Sequence, residues 1–406
     1  MNSAPALVDT AIATTKSVDR ELRILAIVPS SFCFGLQNLT LEFFGHRSSW
    51  VRPFFLNTAW NDGEFPRRLD ALGLPHAETW FGMFSRRLDP RNVKMTLHCL
   101  VKLPLGYWDF LRIYRRFRPD VIYLANHHEI ILLWPLLLFF RQKVICHMHD
   151  PSPAIPFQKA SFSVWRLAVR RFIFISQSVR DRTALLGRVQ PEDPVVHNGV
   201  KVESLALPRL RKDRFVRQFG WPAESVIVGL TGQMTATKGH EDFVEAAFLA
   251  AKQCITLRFV IGGKALEPLY PRLLELIEAK GLRHRFGFPG WLESSKFFFE
   301  GIDVFVMASR HDEGFGLVVA EAMERAVPVV ATRSGGAVEI VVDGVTGFLV
   351  EKQAPIELAA RIDDLARDAE MRAAMGQAGR SRVVRDFELQ AQVRRFEAVI
   401  AEVAGK

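Results

Sequence analysis

The chain has 406 residues, 49% hydrophobic and 24% charged, which is too apolar for a disordered chain and long enough for two packed cores. Its four cysteines, Cys33, Cys99, Cys146 and Cys254, lie far apart, which argues against a zinc knuckle or a disulfide framework and points to a reducing, cytoplasmic setting. The net charge of +9 sits entirely in the first half: 25 Lys and Arg face 16 Asp and Glu over residues 1–200, and the other 28 of each sign balance, so the basic half suits anionic partners such as phosphorylated substrates, lipid headgroups or nucleic acid.

In chain order, residues 1–20 are small and polar, without the cationic and then apolar order of a signal peptide, and are expected to be a disordered lead-in. Short Val/Ile-rich runs follow at 23–29, 120–125, 143–149 and 171–176, separated by longer stretches with helical spacing. The apolar run 130–140 has 11 residues and contains Pro135, whereas a spanning helix needs about 20. A polar, proline-containing stretch begins after His197-Asn198-Gly199-Val200, which places a domain seam near residue 205. Further strand-like runs occupy 225–232, 257–263, 304–309, 327–332 and 347–350. Runs with so little polar alternation predict strands buried on both faces, and so two doubly wound α/β domains, over 21–205 and 206–385. Leu389, Val393, Phe396 and Ile400 recur at helical spacing, predicting a C-terminal helix over 386–406 with one face packed on the rest of the chain.

The stretch 304–325 predicts a strand, a loop bearing Glu313, and a helix bearing Glu321. Gly314 and Gly316 allow a ligand close to the backbone, and the free amides of the helix start suit a phosphate. A carboxylate beside a phosphate is electrostatically unwelcome, so Glu313 is expected to serve neutral hydroxyls attached to it, such as a sugar. Glu321 then suits a second pair of hydroxyls, such as a ribose diol. A second strand–loop–helix unit, 229–247, carries Lys238 in its loop, where an ammonium reaches a diphosphate and stabilises the charge that grows as it departs. Ser334-Gly335-Gly336 forms a third turn at the carboxyl end of a strand, where open α/β sheets bind ligands.

The run Glu313-Gly-Phe-Gly, then Glu321-Ala-Met, Pro328-Val-Val-Ala-Thr, Gly335-Gly336, Glu339 and Asp343-Gly-Val-Thr-Gly resembles the retaining glycosyltransferases of family 4 (group 1). Residues 144–150, 174–182 and 197–200 resemble that family's N-domain landmarks. The resemblance implies a GT-B fold, two Rossmann-like domains facing across a cleft, with the C-terminal helix returning to the N-terminal domain. It implies that Glu313 holds the donor sugar, that the backbone of Gly314, Phe315, Gly316 and Leu317 meets the diphosphate or sugar, and that Glu321 binds ribose. Lys238 would contact the diphosphate, His149 would line the reaction centre, and the nucleobase would lie near Gly262, Gly263, Gly290 and Trp291.

Three departures stand out. Gln233 replaces an arginine and brings no charge, Ala326-Val327-Pro328 replaces a Gly-x-Pro step, and the first strand is followed by Gly35 alone rather than by paired glycines. The family mechanism needs no protein nucleophile and no metal, and the chain has no Asp-x-Asp triplet. No cofactor is expected beyond a nucleoside-diphosphate sugar as donor substrate. His127, His128 and Glu129 are read as edging the cleft rather than binding metal. Basic clusters interleaved with Trp108, Phe110, Tyr114 and Phe117 predict a peripheral enzyme on an anionic, cytoplasmic-face membrane, with a lipid-linked or polysaccharide-precursor hydroxyl as acceptor. Nothing resembles a nucleic-acid reading element. An epimerase or hydrolase on the same fold, or a non-catalytic nucleotide-sugar binder, are the competing readings.

Overall fold

The computed structural model describes residues 21–28, 33, 35–59, 61–81, 90–126, 128–150, 156–204, 209–263, 269–290 and 295–406. Its frame is two six-stranded, wholly parallel sheets. The first contains β1 (Leu22–Val28), β2 (Val51–Thr58), β3 (His76–Thr79), β4 (Val121–Leu124), β5 (Val144–Met148) and β6 (Arg171–Phe174). The second contains β7 (Val226–Thr231), β8 (Leu257–Gly262), β9 (Phe286–Gly290), β10 (Val304–Met307), β11 (Val329–Thr332) and β12 (Gly347–Val350).

The strand order is β3-β2-β1-β4-β5-β6 in the first sheet and β12-β11-β10-β7-β8-β9 in the second. Each is the same doubly wound arrangement, in which the chain builds outward from its first strand and then reverses to the other side. The reversal opens a crevice at the carboxyl ends of β1 and β4, and of β7 and β10, where such sheets take ligands. β1, β4, β5, β7, β10 and β11 are buried along almost their whole length, which is why their apolar runs lack alternation.

Helices cover both sheets. One apolar cluster runs without a break from the first sheet (Leu25, Leu124, Met148, Phe174) through Ile175, Phe315 and Phe387 into the second (Ile227, Phe305, Val329). The helix Leu389–Ala404 lies on the first half, with Leu389, Val393, Phe396 and Ile400 packed among Phe43, Phe44 and Tyr123. Phe396 meets those three rings edge-on at 5.2–5.9 Å between centroids. Glu388 caps the helix by accepting from the amides of Gln390 and Ala391, and Glu397 accepts from the amide and hydroxyl of Ser48 at 2.7 and 2.6 Å. The seam expected near residue 205 lies outside the described residues.

The sequence reading left β2, β3 and β9 unassigned. β2 carries Pro53 and Arg52, β3 is the polar His-Ala-Glu-Thr, and β9 is Phe-Gly-Phe-Pro-Gly. β3 and β9 are the outer strands of their sheets, where polar residues, glycine and proline are tolerated because one edge makes no ladder bonds.

Candidate active site

Three loops of the second half meet at the carboxyl end of its sheet. After β7, a 3-10 turn at Ala236–Lys238 leads to the helix His240–Gln253 through Gly239, at φ +67°. A Cβ there would lie 1.9 Å from the carbonyl oxygen of Ala308, so only glycine lets the Lys238 loop rest on the end of β10. After β10, residues 308–316 lead to the helix Leu317–Glu324, and after β11 the turn Ser334-Gly335-Gly336 precedes the short helix Ala337–Ile340.

These loops place Lys238 Nζ at 2.7 and 2.9 Å from the two carboxylate oxygens of Glu313. Ser309 Oγ also donates to Oε1 of Glu313. The Glu313 amide donates to Ser334 Oγ at 3.1 Å, and its carbonyl accepts from the Gly336 amide at 2.9 Å. The Glu313 backbone is thus fixed by the third loop while its side chain is shared with the first. The pair keeps partial access to solvent, with side-chain exposures of 36% and 19%. A ligand that brings both a diphosphate and hydroxyls can therefore separate the pair and satisfy each member.

Gly316 starts the Leu317–Glu324 helix with no side-chain cap, and no acidic residue lies in the first turn. The first amides of the helix have no intrahelical partner, and its dipole favours an anion there. Glu321 sits one turn further along, half-buried. Burial pushes its carboxyl up to about 7; the Ser295 hydroxyl and Arg325 pull the other way, and Glu42 and Glu324 add to the rise. Glu42 belongs to the helix Gly35–Gly45 of the first half, so that helix bears on the same site.

The first half closes against these loops. His149, just after β5, is 6% exposed, and neither of its ring nitrogens has a hydrogen-bond partner among the described residues. Its burial lowers the imidazole pKa to about 3, so the ring is neutral at ordinary pH and acts as a hydrogen-bonding group, not as a cation. Beneath it the His147 ring lies tilted, 4.2 Å away between centroids, and pairs with the Tyr123 hydroxyl at 3.0 Å. A Cβ on Gly314 would stand 2.2 Å from the carbonyl oxygen of His149, so the Gly-Phe-Gly turn touches the His149 backbone directly. Ser176 Oγ donates to the Gly314 carbonyl at 2.6 Å.

Two carboxylates, Glu339 and Asp312, tighten the seam. Glu339 accepts from the amides of Gln177 and Ser178 at 2.8 Å each and pairs with His197 at 3.1 Å. Burial works against the charged form of Glu339, but the His197 ring and the two amides hold its pKa below the usual range. Asp312 bridges Arg182 of the first half and Lys352 of the second, and although burial opposes its ionised form, those two cations keep its pKa low.

Of the residues expected to form the site, Lys238, Glu313, Gly314, Phe315, Gly316, Leu317 and His149 converge on one place, with Glu321 alongside. Gly262 and Gly290 pair in register between β8 and β9. The Gly263 amide reaches the Gly290 carbonyl at 3.1 Å and the Gly232 amide the Gly262 carbonyl at 3.3 Å, a backbone ledge running from the Lys238 loop toward the sheet edge. Gln233 is exposed on that ledge. Gly35 begins its helix with open space where a Cβ would stand. Trp291, His127 and the side chains of His128 and Glu129 lie outside the described residues. No group of three or more His, Cys, Asp or Glu among the described residues is placed to hold a metal. Sequence reasoning named the Ser334 turn and the stretches holding Ser176 and His197 without giving these side chains a role, and it missed Ser309 and the Asp312 bridge. The only available signals were serines just past strand ends and the His197-Asn-Gly run, whose partner Glu339 lies far away in sequence.

The model for glycosyl transferases group 1 matches residues 211–382, and that for glycosyltransferase family 4 matches residues 50–204. The lipopolysaccharide core biosynthesis glycosyltransferase LpsE of Rhizobium meliloti is 29% identical over 170 residues, covering 42% of this chain and 48% of that protein. A GDP-mannose-dependent phosphatidylinositol monomannoside mannosyltransferase of Mycolicibacterium smegmatis is 31% identical over 234 residues, covering 53% of this chain and 60% of that one. The chain thus spans less than two thirds of these relatives' own length. Among solved structures, Anabaena Alr3699/HepE in complex with UDP superimposes with a TM-score of 0.78 at 22% identity, covering 94% of this chain and 100% of that one. Two sheets of identical winding, the Glu313 turn between them and both family matches lead to one conclusion: the chain belongs to the group 1, family 4 glycosyltransferases and has their GT-B fold.

Proposed function

We propose that this chain is a retaining, metal-independent glycosyltransferase that moves a sugar from a nucleoside-diphosphate sugar to a hydroxyl acceptor. The observation that carries the reading is the Lys238–Glu313 pair, set beside an uncapped helix start and facing a buried, neutral His149. In this reading the diphosphate lies over the amides of Gly316 and Leu317 and draws Lys238 from Glu313. Glu313, released, accepts from sugar hydroxyls, and Glu321 accepts from the ribose diol. The base rests along the 232–263–290 ledge, and Trp291 is assigned to it by resemblance alone.

The acceptor hydroxyl attacks the anomeric carbon from the face the nucleotide leaves. The carbon–oxygen bond to the diphosphate breaks as the new one forms, and the departing phosphate oxygen takes the acceptor proton. Lys238 and the helix amides stabilise the negative charge that develops, the role a metal fills elsewhere. His149, neutral, offers one hydrogen bond to the sugar without competing for the proton.

The acceptor is proposed to be a lipid-carried or polysaccharide-precursor hydroxyl reached at the cytoplasmic face of a membrane. The basic first half supports this, as do the names of two relatives, one for lipopolysaccharide core biosynthesis and one for a phosphatidylinositol monomannoside mannosyltransferase. The test is proton NMR of the products formed from UDP-, GDP- and ADP-sugars with chelator present. Consumption of one nucleotide class with the donor's anomeric configuration kept is expected; an inverted product or strict metal dependence overturns the mechanism.

A further inference from the structure

The long helix Pro90–Phe117 has its polarity reversed on the outside. Its inner face is built from Cys99, Gly106, Phe110 and Ile113, all buried. Its outward positions from Val93 to Trp108 are almost all apolar: Leu97 is 57% exposed, Leu100 44%, Val101 76%, Leu105 50% and Trp108 64%. These recur at three- and four-residue steps, so they form one stripe about 24 Å long at 1.5 Å per residue. A surface helix normally turns such residues inward, and an apolar strip of this extent on the outside marks an interaction surface. Phe139 is likewise 85% exposed, at the end of the neighbouring helix His128–Phe139. That helix end is tied to the stripe's own helix by Phe140, 4.3 Å from Tyr114.

Charge decides the occupant. The helix sequence carries six Lys and Arg against one Asp, and that Asp109 is already engaged by Thr79 and Arg112. Lys94 is exposed beside the first turn of the stripe, and Arg112, Arg115 and Arg116 are exposed just past Trp108. An apolar strip with a tryptophan and flanking cations matches the interface of an anionic bilayer: the side chains enter the acyl boundary, the indole sits at headgroup depth and the arginines meet lipid phosphates. No described helix is long and apolar enough to cross the membrane, so the helix lies in the plane of the surface.

We infer that the outward face of Pro90–Phe117 is a membrane-inserting surface that seats the first half on anionic lipid. The inference rests on the acceptor reading above and deepens it. Attraction alone is screened by salt, whereas inserted side chains are not, so binding has a salt-resistant part.

The test is flotation of the full chain with phosphatidylglycerol-containing and pure phosphatidylcholine vesicles at 0.1 and 0.5 M salt. Three proteins are compared: wild type, an L97Q/V101Q/W108Q variant, and an R112Q/R115Q/R116Q variant. All six positions are exposed, so each protein should melt and bind nucleotide as wild type does. Wild type is expected to float with anionic vesicles at both salt levels. The apolar variant should lose at least tenfold of that binding at 0.5 M, and the arginine variant should lose its preference for anionic lipid at 0.1 M. If wild type floats and the apolar variant floats equally, the face is wrong while the membrane reading stands. If wild type floats with neither vesicle, both fall and the donor site is untouched. If wild type sediments as a dimer and the apolar variant as a monomer, with no flotation by either, the face is an interface between copies instead.

Discussion

Lys238 and Glu313 hold each other across the site, yet their partial exposure keeps that bond's share of stability small, under about 1 kcal/mol. Lys238→Ala should therefore leave the melting temperature nearly unchanged while lowering kcat about 10²–10³-fold, the loss usual for one oxyanion donor; steady-state kinetics beside a thermal melt separate the two effects. Glu321 and His149 give opposite pH signatures. The carboxyl of Glu321 titrates higher in the fold, at about 7 against 4.5, so the folded chain holds the extra proton and stability falls as pH rises from 4.5 to 7. Glu321→Gln should remove that decline, raising the melting temperature at pH 8 relative to pH 4.5 while weakening donor binding. His149 titrates lower in the fold, at about 3 against 6.5, so its contribution is present above pH 6.5 and drains away toward pH 3. Carbon-detected NMR of the ring should find no protonation of His149 between pH 5 and 8. Glu313, Lys238 and Glu321 were legible as residues because glycines and charges stood at loop–helix steps. Ser309 was not, nor was the bond from the Glu313 amide to Ser334, since a serine past a strand end shows no partner until the fold places one.

At the scale of elements, Glu339 joins the short helix of one half to the first turn of another helix, Gln177–Ala184. Such a cap is worth about 1 kcal/mol within one helix, but here it also holds His197, whose ring lies 5.6 Å from that of Phe315 in the Gly-Phe-Gly turn. Glu339→Ala is expected to lower the melting temperature modestly and to cut turnover far more than donor affinity, read as kcat against KM. Equal loss in both would show that Glu339 serves stability alone. The strands of both sheet centres were readable because their burial on two faces writes an unbroken apolar run. The outer strands β3 and β9 were not, because a strand with one open edge accepts His, Glu, Gly and Pro. β2 escaped for a different reason: Pro53 and Asn57 break its pattern although its neighbours bury it. The reading of Pro90–Phe117 as basic with interleaved aromatics caught its charge but not which face its Leu and Val residues take, which depends on what lies beneath the helix.

Across the whole molecule, the helix Leu389–Ala404 makes the first half's core depend on residues far along the chain. Phe396→Ala should cost about 3–5 kcal/mol, as for a buried Phe truncated to Ala, and should broaden unfolding into two transitions by calorimetry, the first half melting before the second. The same placement has an outcome for biogenesis. As the polypeptide leaves the ribosome, the earlier sheet emerges with Phe43, Phe44 and Tyr123 uncovered, and it must wait for some two hundred further residues before its groove is filled. The later sheet has one face closed by an apolar cluster drawn wholly from its own half and can begin to settle there first, so this chain is expected to mature back to front, with a chaperone's opportunity lying on the half that was made earliest.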